Sequence, residues 1–456
     1  MEPIAVVDEG LGNSSYLLDL GDGRAAVLDP ARDPRPYTGR AGRRGLTVAF
    51  AVETHVHADF VTGTRELAAD GAQIVAAAGA ELAYPHRGVH DGDRVDLGGL
   101  VLEAIATPGH TPAHVAWLLR DGETPLGVFT GGALVVGGMA RTDLAGRERT
   151  GELARAAYRS IRDRLLALPD ELPVWPTHGP GSFCSTDATG ERTSTIGLEK
   201  AGNPLLVGDP DEDTFVARLT AGFGSYPAYF DRLPTENQAG PRVFGRPWPA
   251  LSLPDLDVDA VQGLLARGAQ VVDARPIDRF ARGHLPGSIS DELRGQFGTW
   301  LGWVADPSRP VVLVVDDDQD VDELLRQALT VGVEDIAGRL GGGIEAWRAA
   351  GYEVHTLPLI DVDAVDRQDV LDIRQDTEWQ AGHLPHAAHV ELGALAGGAD
   401  VPVSGSTAVM CAHGQRSMTA ASLIARGRGD SRGLEVVAGS AEDWAQATGR
   451  DLEDGA

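Results

Sequence analysis

At 456 residues the chain is long enough for roughly two to four domains, since a single domain holds roughly 100 to 200 residues. Its 39 basic and 67 acidic side chains give a formal charge of −28, which excludes nucleic acid and anionic membrane surfaces as natural partners. A hydrophobic fraction of 43% and only two cysteines, Cys184 and Cys411, exclude a disordered chain and a disulfide-stapled secreted scaffold, and fit a reducing compartment.

The first twenty residues contain acidic side chains and glycines where an export signal is apolar, so a cytoplasmic protein is expected. Short apolar strands then follow one another: AAVLDP, LTVAFAVET, VLEAIATP, HVAWLL and LGVFTG. Between and after them, FVTGTRELAADGA and ERTGELARAAYRSIRDRLLALP carry apolar residues at three- and four-residue spacing, the mark of helices packed by one face. A layered α/β sandwich over residues 1–245 is the expected class. The proline-rich RPWPALSLPDLD, residues 246–257, reads as a linker.

Beyond it lies an internal repeat. DARPIDRFARGHLP, starting at Asp273, recurs as DIRQDTEWQAGHLP, starting at Asp372, an offset of 372 − 273 = 99. Each copy opens on a short apolar strand, reaches a second one (PVVLVV, TAVM), and ends with a glycine-rich turn before a Trp-bearing helix (GGGIEAW, AGSAEDW). Strands alternating with helices predict two domains, 255–354 and 358–453, each a parallel sheet covered on both faces. The longest apolar run, VVLVV at 311–315, is far below the ~18 residues of a membrane span.

Of 13 histidines, His55, His57, His110 and His178 stand at strand-to-loop junctions beside glycine, proline or acidic residues. In ETHVHADF, His55, His57 and Asp59 alternate, and an extended backbone puts alternate side chains on one face, where they grip a metal together. ATPGHTPAH supplies His110 and WPTHGPGSF supplies His178. Taken singly, each reads equally well as a hydrogen-bonded structural histidine. As a set they resemble the metallo-β-lactamase superfamily, with its HxHxDH signature, PGH turn, GD turn and late histidine. RTDL, THGPGSFCS and ERTSTIGLEKAGNPLL are similar to its persulfide dioxygenase branch, and the resemblance covers residues 1–245.

That resemblance implies an Fe(II) site of two histidines and one aspartate, with zinc as the alternative ion. Two departures fall on ligands. Phe60 replaces the last histidine of HxHxDH, and FTGD reads FTGG, with Gly132 at the aspartate position. The expected remaining set is His55 and His110 with His57 beside them, Asp59 and His178 assisting if the loops shift. Arg141 in RTDL matches a family arginine near the thiol-substrate pocket, or is a surface ion pair. Cys184 in GSFCS reads as structural.

Cys411 follows TAVM and opens CAHGQRSMTAASLIARG, a glycine-containing loop running into a helix. Amides of such a loop, among them those around Gly414, converge on the sulfur at the mouth of the last repeat. The helix N-terminus adds positive potential and Arg416 a full charge. With the DxR and GHLP segments this resembles the rhodanese sulfurtransferases. Four residues separate Cys411 from Arg416, one fewer than in phosphatases of related fold. Aligning PVVLVV with TAVM places Asp316 opposite Cys411, so the first copy is expected to be inactive behind an acidic loop, Asp316 to Asp320.

Together the two resemblances imply an αββα sandwich of metallo-β-lactamase type followed by two rhodanese-type domains, acting on thiosulfate, small thiols (glutathione among them) and thiol persulfides. A homo-oligomer is compatible with it. The competing readings are a glyoxalase II-like metal-dependent thiolester hydrolase, and a non-catalytic persulfide sensor or scaffold.

Overall fold

The computed structural model describes residues 2–185, 190–249, 253–365, 369–402 and 405–455; part of the proline-rich linker, 250–252, lies outside them. The chain forms two compact units, one built on Met1–Leu251 and one on Ser252–Ala328 with Val333–Ala456.

The first unit holds two six-stranded sheets. One runs in chain order through β1 (Ile4–Asp8), β2 (Asn13–Asp19), β3 (Arg24–Leu28), β4 (Thr47–Val52), β5 (Gln73–Ala77) and β6 (Arg87–Val89). The other contains β7 (Arg94–Asp96), β8 (Leu100–Ala106), β9 (Val115–Asp121), β10 (Thr124–Gly131), β11 (Pro173–Pro176) and β12 (Ser194–Thr195). Period-two alternation decides what each strand buries. Tyr16 and Leu18 of β2, Ala26 and Leu28 of β3, and Val115, Trp117 and Leu119 of β9 fill the core between the sheets. Leu17, Ala25 and Val27 point the other way, with Tyr37 of α1 (Arg35–Gly42) and Leu67 of α2 (Thr64–Ala69). Ala116 and Leu118 likewise face α3 (Thr150–Arg159). The order is helix, sheet, sheet, helix, as the sequence texture predicted.

In the second unit each repeat forms a five-stranded, all-parallel sheet. In the first repeat β13 (Asp255–Leu256), β14 (Gln270–Asp273), β15 (Ile289–Ser290), β16 (Val311–Val314) and β17 (Ile336–Leu340) lie in the order β13-β17-β16-β14-β15. In the second, β18 (Leu359–Ile360), β19 (Asp369–Asp372), β20 (Ala388–His389), β21 (Thr407–Met410) and β22 (Leu434–Val437) lie in the equivalent order β18-β22-β21-β19-β20.

The shared motif is architectural. Arg275 pairs with Asp273 at 2.6 Å and donates to the Gly283 carbonyl; Arg374 repeats this with Asp372 and Gly382. The GHLP histidines stack on the aromatic residue one turn earlier, His284 on Phe280 (3.9 Å) and His383 on Trp379 (3.5 Å), and each donates Nδ1–H to that residue's carbonyl. Each copy also closes on itself: His284 exchanges two backbone hydrogen bonds with His355, and His383 exchanges two with Glu453.

Candidate active sites

The histidines of the first unit lie where four strands end. His55, His57 and Asp59 follow β4, His110 follows β8, His178 follows β11, and Asp29 follows β3. All are buried. The PGH turn that carries His110 needs its glycine: Gly109 has φ +157°, and a Cβ there would lie 2.5 Å from Ala157 Cβ of α3.

His55, His110 and His178 form one ligand group, with one ring nitrogen from each inside a 4.8 Å span. Hydrogen bonds fix their tautomers. His110 Nδ1 donates to the Arg141 carbonyl at 2.6 Å, and its Nε2 is buried without a partner. His55 Nδ1 donates to Thr54 Oγ1 at 2.8 Å, since that hydroxyl gives its own proton to Asp29. His178 Nδ1 donates to Asn13 Oδ1 at 3.0 Å, with Asp59 Oδ2 at 3.3 Å. Three Nε2 lone pairs thus face one space, those of His55 and His178 only 3.3 Å apart. Such an arrangement is repulsive unless a cation or a proton sits between the nitrogens, so the donor set fits a divalent ion. Burial, then the charge on His57, pushes His55 well below the usual imidazole range. Burial and His178 lower His110 to about 3. Both are neutral and ready to ligate.

In the group that contains His55 and His110 the third nitrogen is that of His178; His57 falls in two adjoining groups, one with Asp29 and His55 and one with Asp59 and His178. Alternation does not apply here, because β4 ends at Val52 and the chain turns before His55. His57 Nε2 lies 3.1 Å from Glu53 and 3.3 Å from Asp29. Burial opposes its charge, but Asp29 and Glu53 outweigh that and raise it to about 10. It is an imidazolium clamped by two carboxylates, with Phe60 stacked on its face at 4.1 Å. Nor do His178 and Asp59 wait on a loop shift. Asp59 accepts from Asn13 at 2.7 Å, and despite burial His178 and His57 hold its carboxyl well below the usual range.

At Gly132 a Cβ would fall 2.5 Å from His110 Cδ2, so the imidazole occupies the space a side chain would need. Its amide donates to His114 Nε2 at 3.0 Å, and His114 stacks on His55. Arg141 is no surface residue: it is 4% exposed, paired with Asp143 at 2.7 Å, and covered by Tyr226. Cys184 is fully buried, and burial pushes its thiol well above the usual range. Sequence reasoning missed Asn13, Asp29, Glu53, Thr54 and His114; only His114, four residues after His110 in ATPGHTPAH, carried a visible signal. A cavity of about 360 Å³ lined by Val56, Ala58, Thr111, Pro112, Leu144 and Arg149, among others, adjoins the loops of His55 and His110.

In the last repeat Cys411 follows β21 directly and precedes the helix Gln415–Arg428, whose cap Gly414 has φ +94°. The Gly414 amide donates to Sγ at 3.1 Å. Cys411 is not open to solvent but only 1% exposed, two residues before the exposed His413. Arg416 does not offer a free charge either, being held by Glu378 through two bonds of 2.6 and 2.7 Å.

Strand register corrects the residue opposite Cys411. Asp273 pairs with Val314 as Asp372 pairs with Met410, and the Ala274 amide bonds to Val314 as Ile373 does to Met410. Val315, not Asp316, therefore stands where Cys411 stands. Val315 is apolar but lies past the strand end, which misleads an alignment by hydrophobicity. Asp316 pairs with Arg279 at 3.5 Å.

A two-sheet sandwich with clustered histidines, joined to two parallel-sheet repeats, defines a metallo-β-lactamase-fold protein fused to rhodanese-like domains. Residues 257–350 and 360–447 each match the family described as Rhodanese-like domain. The human mitochondrial persulfide dioxygenase ETHE1 is 33% identical over 197 residues, 42% of this chain and 70% of that protein. A hydroxyacylglutathione hydrolase of Synechococcus sp. is 36% identical over 164 residues, 34% of this chain and 61% of that one. Among solved structures, a metallo-beta-lactamase from Staphylococcus aureus superposes with TM-score 0.65 at 28% identity, covering 74% of this chain and 98% of that one. The chain belongs to the persulfide dioxygenase family and carries two rhodanese-like domains after its metallo-β-lactamase fold. Among the described residues no helix is long and apolar enough to cross a membrane.

Proposed function

We propose that this chain handles sulfane sulfur at two centres. Cys411 passes it between thiosulfate, small thiols and their persulfides, and the site at His55, His110 and His178 holds iron and oxidises a thiol persulfide to sulfite. The observation that carries the reading is the convergence of one ring nitrogen from each of His55, His110 and His178 in a chain whose last repeat presents Cys411 to an amide at a helix start.

In the transferase half, the Cys411 thiolate attacks the outer sulfur of thiosulfate. A new S–S bond forms, the old one breaks, and sulfite leaves with the electron pair. The Gly414 amide and the start of the helix Gln415–Arg428 favour the anion before and after that step. An acceptor thiolate then takes the outer sulfur and restores Cys411.

In the first unit, bound iron would supply activation of O₂ and of the substrate sulfur. The chain's own contribution is orientation. The Arg141 carbonyl, Thr54 with Asp29, and Asn13 with Asp59 lock the three imidazoles with Nε2 inward. The adjoining cavity takes the organic part of the thiol. The hydrolase reading needs a second metal position; the candidate for it is the group of His57, Asp59 and His178, in which His57 is held as an imidazolium by Asp29 and Glu53 and stacks on Phe60.

The test is metal analysis of the purified chain with O₂ uptake on glutathione persulfide, beside thiosulfate:thiol transfer in wild type and Cys411→Ser. About one iron per chain, persulfide-dependent O₂ uptake and an inactive Cys411→Ser are expected. Two zinc ions per chain with thiolester cleavage, or sustained transfer by Cys411→Ser, would overturn the reading. A single burst without turnover would mark a sensor.

A further inference from the structure

After β5 the chain makes a short turn of 3₁₀ helix, Ala78–Ala80, and ends it on Glu81 with φ +56° and ψ +38°. That is the left-handed region, where a side chain crowds the backbone and glycine is the usual residue. The turn is pinned on two sides. Gln238 of the helix Leu233–Ala239 donates its side-chain amide to the Ala80 carbonyl at 3.0 Å, and its own carbonyl accepts the Ala83 amide at 2.8 Å. Gly79 packs against the loop that carries His110, a Cβ on it lying 3.4 Å from Ala113 Cβ.

The strained residue thus has a fixed place, in the lining of the 360 Å³ cavity that also includes Val56, next to His55, and Thr111, next to His110. Strained backbone tends to gather where a ligand is gripped. Of the lining side chains only Glu81 and Arg149 are charged, and Arg149 is held by Glu152 through bonds of 2.8 and 3.3 Å. Glu81 is exposed, and among the described residues its carboxylate makes no hydrogen bond or ion pair. The cavity therefore offers a ligand one unneutralised charge, and it is negative.

Val56, Ala58, Pro112 and Leu144 make the wall between the histidine loops and that charge largely apolar. A ligand that fits has its sulfur at the histidine group, an uncharged stretch along this wall and a cation at the far end. The formal charge of −28 works in the same direction, because a persulfide anion that also carries a cation is repelled less by the chain as a whole.

Resting on the assignment of the His55, His110 and His178 group as the oxidation centre, we infer that Glu81 selects the substrate: the cavity takes persulfides of thiols that bear an ammonium group, and the Glu81 carboxylate receives that group. Thiols whose organic part is purely anionic are repelled by the same carboxylate. The pinned turn holds the carboxylate in place before the substrate arrives, so little order is lost on binding.

The experiment titrates the intact chain calorimetrically with S-methylglutathione and with its N-acetyl derivative. The two differ by the ammonium group, and neither carries the sulfane sulfur that the two centres act on. Wild type should bind S-methylglutathione about fivefold more tightly than the N-acetyl compound. Glu81→Gln should lose that preference by weakening the first ligand alone. Glu81→Gly, which removes the backbone strain with the carboxylate, should lose it too while melting no lower than wild type, so that a folding defect does not account for the loss. Glu81→Asp, which keeps the charge, should retain a preference of at least about twofold. In O₂ uptake by the iron-loaded chain, Glu81→Gln should raise the glutathione persulfide KM about fivefold with kcat within about twofold of wild type. No measurable binding, equal affinities in wild type, or a preference that survives Glu81→Gln would overturn the role of Glu81 and leave the metal centre untouched. An iron-loaded wild type that takes up no O₂ with glutathione persulfide would instead remove the reading on which the proposal rests.

Discussion

Arg416 and Glu378 meet through two parallel hydrogen bonds of 2.6 and 2.7 Å, so the guanidinium in the first turn of the Cys411 helix is held by a carboxylate 38 residues earlier. Burial works against Arg416, and Glu378 keeps it charged. The pair sets where the cation points. Arg416→Lys, which replaces a planar fork with a point charge, should lower kcat/KM for sulfur transfer by roughly 10- to 100-fold. Glu378→Gln, which retains one acceptor, should cost roughly threefold or less. Parallel assays of the two variants check the order.

His178 and His57 should fail differently. His178→Ala removes one inward nitrogen and should cut bound metal to below about a tenth after dialysis, with the fold intact. His57→Gln leaves Asp29 and Glu53 buried without their counter-charge and should destabilise the first unit by roughly 3–5 kcal/mol, with the three inward nitrogens still present. Metal content and urea denaturation distinguish the outcomes.

Gly132→Asp should not restore a carboxylate ligand. Its Cβ would lie 2.5 Å from His110 Cδ2 and 2.9 Å from Ala140 Cβ. The substitution should displace His110, lower metal content and cost roughly 1–3 kcal/mol of stability. Metal stoichiometry and a thermal melt of the variant check this.

His284 supplies a pH signature. Burial lowers it to about 4, from an ordinary 6.5. The unfolded chain then binds more protons than the folded one between about pH 4 and 6.5. Stability is lost as pH falls through that window, by at most roughly 3 kcal/mol. In His284→Gln the loss between pH 6.5 and 4 should be smaller than in wild type by that amount, read from paired denaturation curves.

Much of this was legible because the signals are local. The repeat is local identity at fixed offset, and His55, His110 and His178 stand at strand ends marked by glycine, proline or acidic residues. What the sequence hid depends on partners far along the chain. Alternation offered His57 as a ligand beside His55, but said nothing of Asp29 and Glu53, the two carboxylates that hold its proton. Hydrophobicity placed Asp316 opposite Cys411, because nothing in the run of valines says that the strand stops at Val314. Arg416 looked free because Glu378 is remote in sequence.

Each repeat is closed by two backbone hydrogen bonds, His284 with His355 and His383 with Glu453. Each bridge ties a GHLP segment to the stretch that follows the last helix of the same repeat, Gly343–Ala349 in the first and Ala441–Thr448 in the second. Neither repeat borrows a segment from its twin to seal that edge, so a cut or insertion beyond the bridge of one leaves the seam of the other whole.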